Sequence, residues 1–160
     1  MDANPEPVLF ATPADFRAWL QEYHAREMEL LVGFYKKDSG LPSITWPESV
    51  DQALCFGWIV GIRRSFGPTA YTIRFTPRRS KSIWSAVNLL HVEELTKLGL
   101  MTPTGLAAFE KRDDAKSKIY AYEQKNVHLS AEFEAIFQDN QEAWAFFLNQ
   151  APSYQRPALW

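Results

Sequence analysis

Two strand-like runs set close together constrain this chain most. Residues 58–64, WIVGIRR, and 70–76, AYTIRFT, are rich in β-branched and aromatic side chains, and Ser65-Phe66-Gly67-Pro68-Thr69 joins them. A short link containing Gly and Pro between two such runs predicts an antiparallel hairpin. Alternation turns Val60, Ile62, Tyr71, Ile73 and Phe75 toward a core and Arg63 and Arg74 outward. Were the two arginines to pair side by side, like charges would share one face. That arrangement is unfavourable unless a carboxylate or a bound anion lies near.

Helix signals surround the hairpin. Thr12-Pro13-Ala14-Asp15 offers an N-cap, a proline at the first helical position and an acid in the first turn, and Phe16, Trp19, Leu20 and Tyr23 then share a face, so a helix is expected over 13–24. Residues 1–9 are expected to trail over the surface. The apolar run 30–37, LLVGFYKK, stopped by Asp38-Ser39-Gly40, is expected as a strand and turn. Thr45-Trp46-Pro47-Glu48 has capping-box spacing and starts a helix over 47–56, which Gly57 ends. Beyond the hairpin, Ile83, Val87 and Leu90 make an apolar stripe with Trp84, His91, Leu95 and Leu98, closed by Gly99. Met101-Thr102-Pro103-Thr104 restarts a helix with Leu106 and Phe109 inward. Residues 111–118, KRDDAKSK, read as solvated, with Ile119, Tyr120 and Tyr122 docking an irregular segment.

From Ser130 the chain reads as short helices, with Phe133, Ile136 and Phe137 on one apolar face and Ala143, Trp144, Phe147 and Leu148 on another. Pro152 breaks the second, and residues 154–160 start a third. The expected fold is therefore α+β, a small antiparallel β-sheet covered by helices with a C-terminal helical segment. Its domains are 1–125 and 126–160. The pattern stops at Trp160 without a capping signal, which leads us to expect a natural continuation.

Charge is distributed unevenly. The net charge is −2, yet Arg63, Arg64, Arg74, Arg78, Arg79 and Lys81 fall between Asp51 and Glu93 with no acid among them. The first 51 residues hold nine acids against four cations. Such asymmetry gives a local field even when the total is near zero. It is densest in FTPRRSKSIWSAVN, residues 75–88, where Ser82 is a competent N-cap for the stripe that follows. A helix starting there directs unpaired N–H groups and its positive dipole end at the cations. We therefore expect an anion site at this strand-to-helix junction, formed by Arg63, Arg74, Arg78, Arg79, Lys81 and Ser82, with Trp84, Ser85 and Asn88 beside it. The plainer reading is a solvated or self-paired charge run.

The leading expectation is a non-catalytic protein whose partner is an anionic small molecule or an acidic protein surface. An enzyme acting on a phosphorylated or carboxylated substrate at the same junction is the first alternative, with Cys55 or His91 in a chemical role. Cys55 lies between Leu54 and Phe56, which favours a buried, inert thiol. A nucleic-acid binder, stacking bases on Trp58, Trp84 or Tyr71, is the second alternative; aromatics at strand and helix periods more often form core. No catalytic residue, metal ligand set or cofactor motif is assigned. One cysteine excludes a disulfide framework, His24, His91 and His128 lack ligand spacing, and the adjacent Asp113 and Asp114 make a weak cation site. With no signal peptide and no apolar window long enough to span a bilayer, the expected location is cytoplasmic, without membrane insertion.

Several segments together resemble the YdeI/OmpD-associated, or bacteriocin-protection, family: DQALCFGWIVG at 51–61, RFTPRRSKSIWSAVN at 74–88, GLMTPTGL at 99–106 and PSYQR at 152–156, with FRAWL and YKKDSG near the start. The resemblance implies a small bacterial cytoplasmic α+β protein with a role in stress or toxin protection. Relatives continue from the helical segment into a Lys- and Arg-rich tail that this sequence lacks. They usually read GWIDG where this chain reads GWIVG, so Val60 replaces an acid that could have served as a base or ligand. The resemblance carries no activity residue by residue.

Overall fold

A computed structural model describes residues 6–80, 82–113, 115, 117 and 128–159. The first strand, β1 (Val8–Leu9), precedes α1 (Pro13–Tyr23) and β2 (Leu30–Tyr35). Then come α2 (Trp46–Cys55), β3 (Trp58–Phe66), β4 (Ala70–Pro77), α3 (Ala86–Lys97) and α4 (Pro103–Glu110). Three short helices, α5 (Ala131–Asp139), α6 (Gln141–Leu148) and α7 (Pro152–Leu159), form the C-terminal segment. The architecture is α+β. Among the described residues no helix is long and apolar enough to cross a membrane.

The strands form one sheet in the order β1-β2-β4-β3. The expected hairpin is present, with β3 and β4 antiparallel, and β4 also pairs antiparallel with β2. Two expectations need correcting. Val8 and Leu9 do not trail over the surface; they pair parallel with Val32 and Gly33, which makes the sheet mixed. The hairpin register also shifts between Val60 and Arg63, so that Val60 faces Phe75 while Arg63 faces Ile73. Gly61 and Ile62 therefore stand together opposite Arg74, a bulge that reverses the alternation beyond it. Ile62 is consequently 75% exposed instead of buried. Arg63 and Arg74 fall on opposite faces, so the side-by-side pair does not form.

Threonine caps set the helix starts. Thr12 accepts from the Asp15 N–H and Thr45 from the Glu48 N–H, each returned by the acid's carboxylate to the cap N–H. Both satisfy N–H groups that a helix start leaves orphaned. Gly57, at φ +71°, ends α2 in the left-handed region that other residues rarely adopt.

One face of the sheet carries Leu30, Val32, Phe34, Ile73 and Phe75, all buried. Phe16 of α1 meets Phe75 edge-on at 5.4 Å, and Trp19 meets Trp58 at 5.8 Å. Leu20, Val50, Ala53 and Leu54 complete this core from α1 and α2. On α3 the inward residues are Val92 and Leu95, whereas Val87 and Leu90 are exposed. The expected stripe was phased from Ile83, which precedes the helix. In the C-terminal segment Phe137, Trp144 and Phe147 cluster at 5.3 to 5.9 Å, but Phe133, Ile136 and Leu148 face solvent. The proposed docking of Ile119, Tyr120 and Tyr122 lies outside the described residues.

Candidate functional site

The largest correction concerns the start of α3. Its N-cap is Ser85, whose hydroxyl accepts from the Asn88 N–H at 3.1 Å, and not Ser82. Ser82 instead donates its hydroxyl to the Arg79 carbonyl, in a turn closed by Ser82 N–H to Arg79 O at 3.0 Å. Trp84 explains the delay. It is 2% exposed, with the Arg78 guanidinium 3.7 Å above its ring and Phe109 edge-on at 5.4 Å. Burying that indole requires the chain to run through residues 82–84 before turning into helix. Ser85 and Asn88 are thus capping partners on the first turn of α3.

The other expected site residues separate. Arg74 lies on the sheet face away from the helices and is held by Glu29, through Nε at 2.8 Å and through Nη2. Arg63 stacks over Tyr71 at 3.7 Å, and Tyr71 stacks on Phe34 at 5.0 Å. Trp58, 1% exposed, is core. Lys81 lies outside the described residues, as does Asp114.

Arg78 and Arg79 remain together, and the fold adds partners that the linear pattern did not reveal. They line a cleft of about 270 Å³ with Ser80, His24, Thr104 and Lys111. The cleft sits where the ends of α1, α2, β4 and α4 meet. The Arg78 N–H donates to Gly57 O at 2.9 Å, which ties the end of β4 to the end of α2. Its side chain is fixed by Nη1 donating to Ile83 O at 3.2 Å and by the Trp84 ring, a cation–π contact of the kind worth about 0.5–2 kcal/mol. Arg79 is exposed at the rim.

The α4 wall is held close by two bonds to one acceptor, Cys55 O, from the Thr102 N–H at 3.0 Å and the Thr102 hydroxyl at 2.6 Å. This approach depends on Gly105, because a Cβ there would lie 2.2 Å from Cys55 O. His24, the C-cap of α1, is fixed at both nitrogens: Nδ1 lies 2.7 Å from Leu20 O and Nε2 lies 3.3 Å from Thr104 Oγ1. A carbonyl only accepts, so Nδ1 carries the proton. Neutral His24 then accepts from Thr104 through Nε2, whereas the imidazolium would donate there. Among the described residues lining the cleft there is no carboxylate.

The residues considered for chemistry lie elsewhere. Cys55 is fully buried, and burial pushes its thiol above the ordinary range despite an opposing hydrogen bond and charge from Arg17. His91 Nδ1 lies 2.6 Å from Asp51 Oδ1, a pairing between α3 and α2 away from the cleft lining. Among the described residues no three His, Cys, Asp or Glu side chains gather to hold a metal ion.

The family profile of a domain of unknown function, DUF8412, matches residues 8–108. The chain belongs to the DUF8412 family. The match takes in the whole sheet, α1 to α3 and most of α4, so that His24, Arg78, Arg79, Ser80 and Thr104 are inside the DUF8412 region and Lys111 lies just beyond it. No curated protein and no solved structure matches the chain. His24 and Lys111 carried no spacing signal, since their approach to Arg78 depends on how α1 and α4 pack.

Proposed function

We propose that this DUF8412 protein is a non-catalytic binder of an anionic group, which enters the cleft between the end of β4 and α4. The observation that carries this reading is the cleft's cationic lining of Arg78, Arg79 and Lys111, with His24 and two hydroxyls and no acid among the described lining residues. Arg78 is already oriented by Ile83 O and Trp84, so little side-chain entropy is lost on binding. Arg79 and Lys111 at the rim add charge that salt can screen. A volume near 270 Å³ is slightly below the roughly 300–1,000 Å³ of drug-sized sites. It suits a phosphate or carboxylate head, presented by a small molecule or by an acidic side chain of a partner. Resemblance to the bacteriocin-protection family supports placing this binding in a cytoplasmic stress or toxin-protection role.

The test is titration of inorganic phosphate, a nucleoside monophosphate and a short oligonucleotide against wild type and Arg79→Ala/Lys111→Ala. At least tenfold weaker phosphate binding by the variant is expected. Equal affinities for both proteins would remove the proposal. Oligonucleotide affinity falling steeply with salt would redirect it to nucleic acid, because neutralised phosphates release counterions.

A further inference from the structure

The sheet face turned away from the helices holds a second concavity, of about 750 Å³. It owes its shape to the bulge. Two residues of β3 oppose Arg74 alone, which bends the edge strand. A Cβ on Gly61 would lie 2.9 Å from Arg74 O, so glycine permits the approach. Thr72, only 5% exposed, lies on the floor, while Leu31, Ile59, Ile62 and Phe66 supply apolar walls. Ile62 and Phe66 are 75% and 52% exposed, two large apolar side chains left in water beside a concave surface.

Two arginines and two glutamates line this face, so its charges cancel in number but not in place. Arg74 and Glu29 satisfy each other. Arg64, opposite Thr72 on the edge strand, takes part in no ion pair among the described residues. Glu6 precedes β1 at the other edge. With two central strands between, strand spacing puts those edges about 14 Å apart. The apolar floor therefore ends at an available guanidinium on one side. The bulge and the consecutive arginines Arg63 and Arg64 also disfavour addition of a further strand to β3.

We infer that the open sheet face binds a small apolar carboxylate, its body against Ile59, Ile62 and Phe66 and its carboxylate on Arg64. Arginine receives a carboxylate through two parallel hydrogen bonds. The volume lies within the roughly 300–1,000 Å³ of small-molecule sites, which combine apolar walls with a few polar groups. This site is separate from the cleft at Arg78.

The experiment is calorimetric titration of the whole chain with decanoate, decanol and decylamine. Decanoate is expected to saturate one site, with decanol and decylamine at least tenfold weaker. Arg64→Glu should weaken decanoate at least tenfold, Arg64→Lys should restore part of the affinity, and Thr76→Trp should block the site. Arg79→Ala/Lys111→Ala should leave decanoate binding unchanged while losing phosphate, so the two readings fail separately. Decanol or decylamine binding as tightly as decanoate would overturn the inference, as would indifference to Arg64→Glu. Light scattering that shows a dimer broken by Phe66→Asp and untouched by decanoate would give the face to a second copy and overturn it too.

Discussion

Gly105→Ala should destabilise the protein although it places a better helix former inside α4. In an exposed helix the exchange gains about 1 kcal/mol. Here the new Cβ would sit 2.2 Å from Cys55 O, 2.7 Å from Cys55 C and 3.0 Å from Leu54 O, all backbone atoms at the end of α2. Ordinary contact begins near 3.4 Å, so α4 must retreat by about an ångström. Retreat stretches both Thr102 bonds to Cys55 O, of about 0.5–1.5 kcal/mol each, and adds overpacking strain of about 1–3 kcal/mol. The net loss is about 1–5 kcal/mol once the helix-propensity gain is subtracted. For a chain of this size each kcal/mol lowers Tm by about 2–4 °C. Urea denaturation followed by circular dichroism measures the loss. Phosphate titration should show weakened binding as well, because Thr104 and Lys111 withdraw from Arg78. A variant as stable as wild type would refute the close α2–α4 contact and, with it, the shape of the cleft.

Three further outcomes follow from individual contacts. Ser85→Ala should cost about 0.5–2 kcal/mol as a lost N-cap, while Ser82→Ala, outside any helix, should change stability by less than about 0.5 kcal/mol; chemical denaturation of both settles which serine starts α3. Cys55 should resist a thiol reagent at neutral pH and react only after unfolding, since burial both shields the thiol and raises its pKa; rapid labelling of the native protein would contradict the burial. The Thr45 hydrogen bonds hold the Glu48 carboxyl below its ordinary value, so its stabilising effect is full above the unfolded glutamate range and is lost as pH falls through the lowered folded value. The stability difference between wild type and Glu48→Gln should accordingly shrink as pH drops below about 4, and a difference constant down to pH 2 would exclude the capping-box account.

Local chemistry was legible in the sequence. Thr12, Thr45 and Thr102 cap their helices as their motifs indicate, α2 starting at Trp46, one residue before the expected 47, because a cap satisfies N–H groups two or three residues away. Gly57 stops α2 for a reason contained in its own backbone, and the β3–β4 hairpin joins neighbours in the chain. Only the tertiary structure decided the rest. Ser82 and Ser85 cap equally well on paper, and burial of Trp84 between Arg78 and Phe109 selects the second. The bulge at Gly61 and Ile62 reverses a face that simple alternation assigns to the core. Arg74 meets Glu29 across 45 residues, and His24 meets Thr104 across 80. A linear pattern records which residues can make such contacts, but their partners are set by how helices and sheet share one core. That sharing drew Arg78 and Arg79 toward His24 and Lys111, and left Arg64 on the open face of the sheet without an ion pair among the described residues.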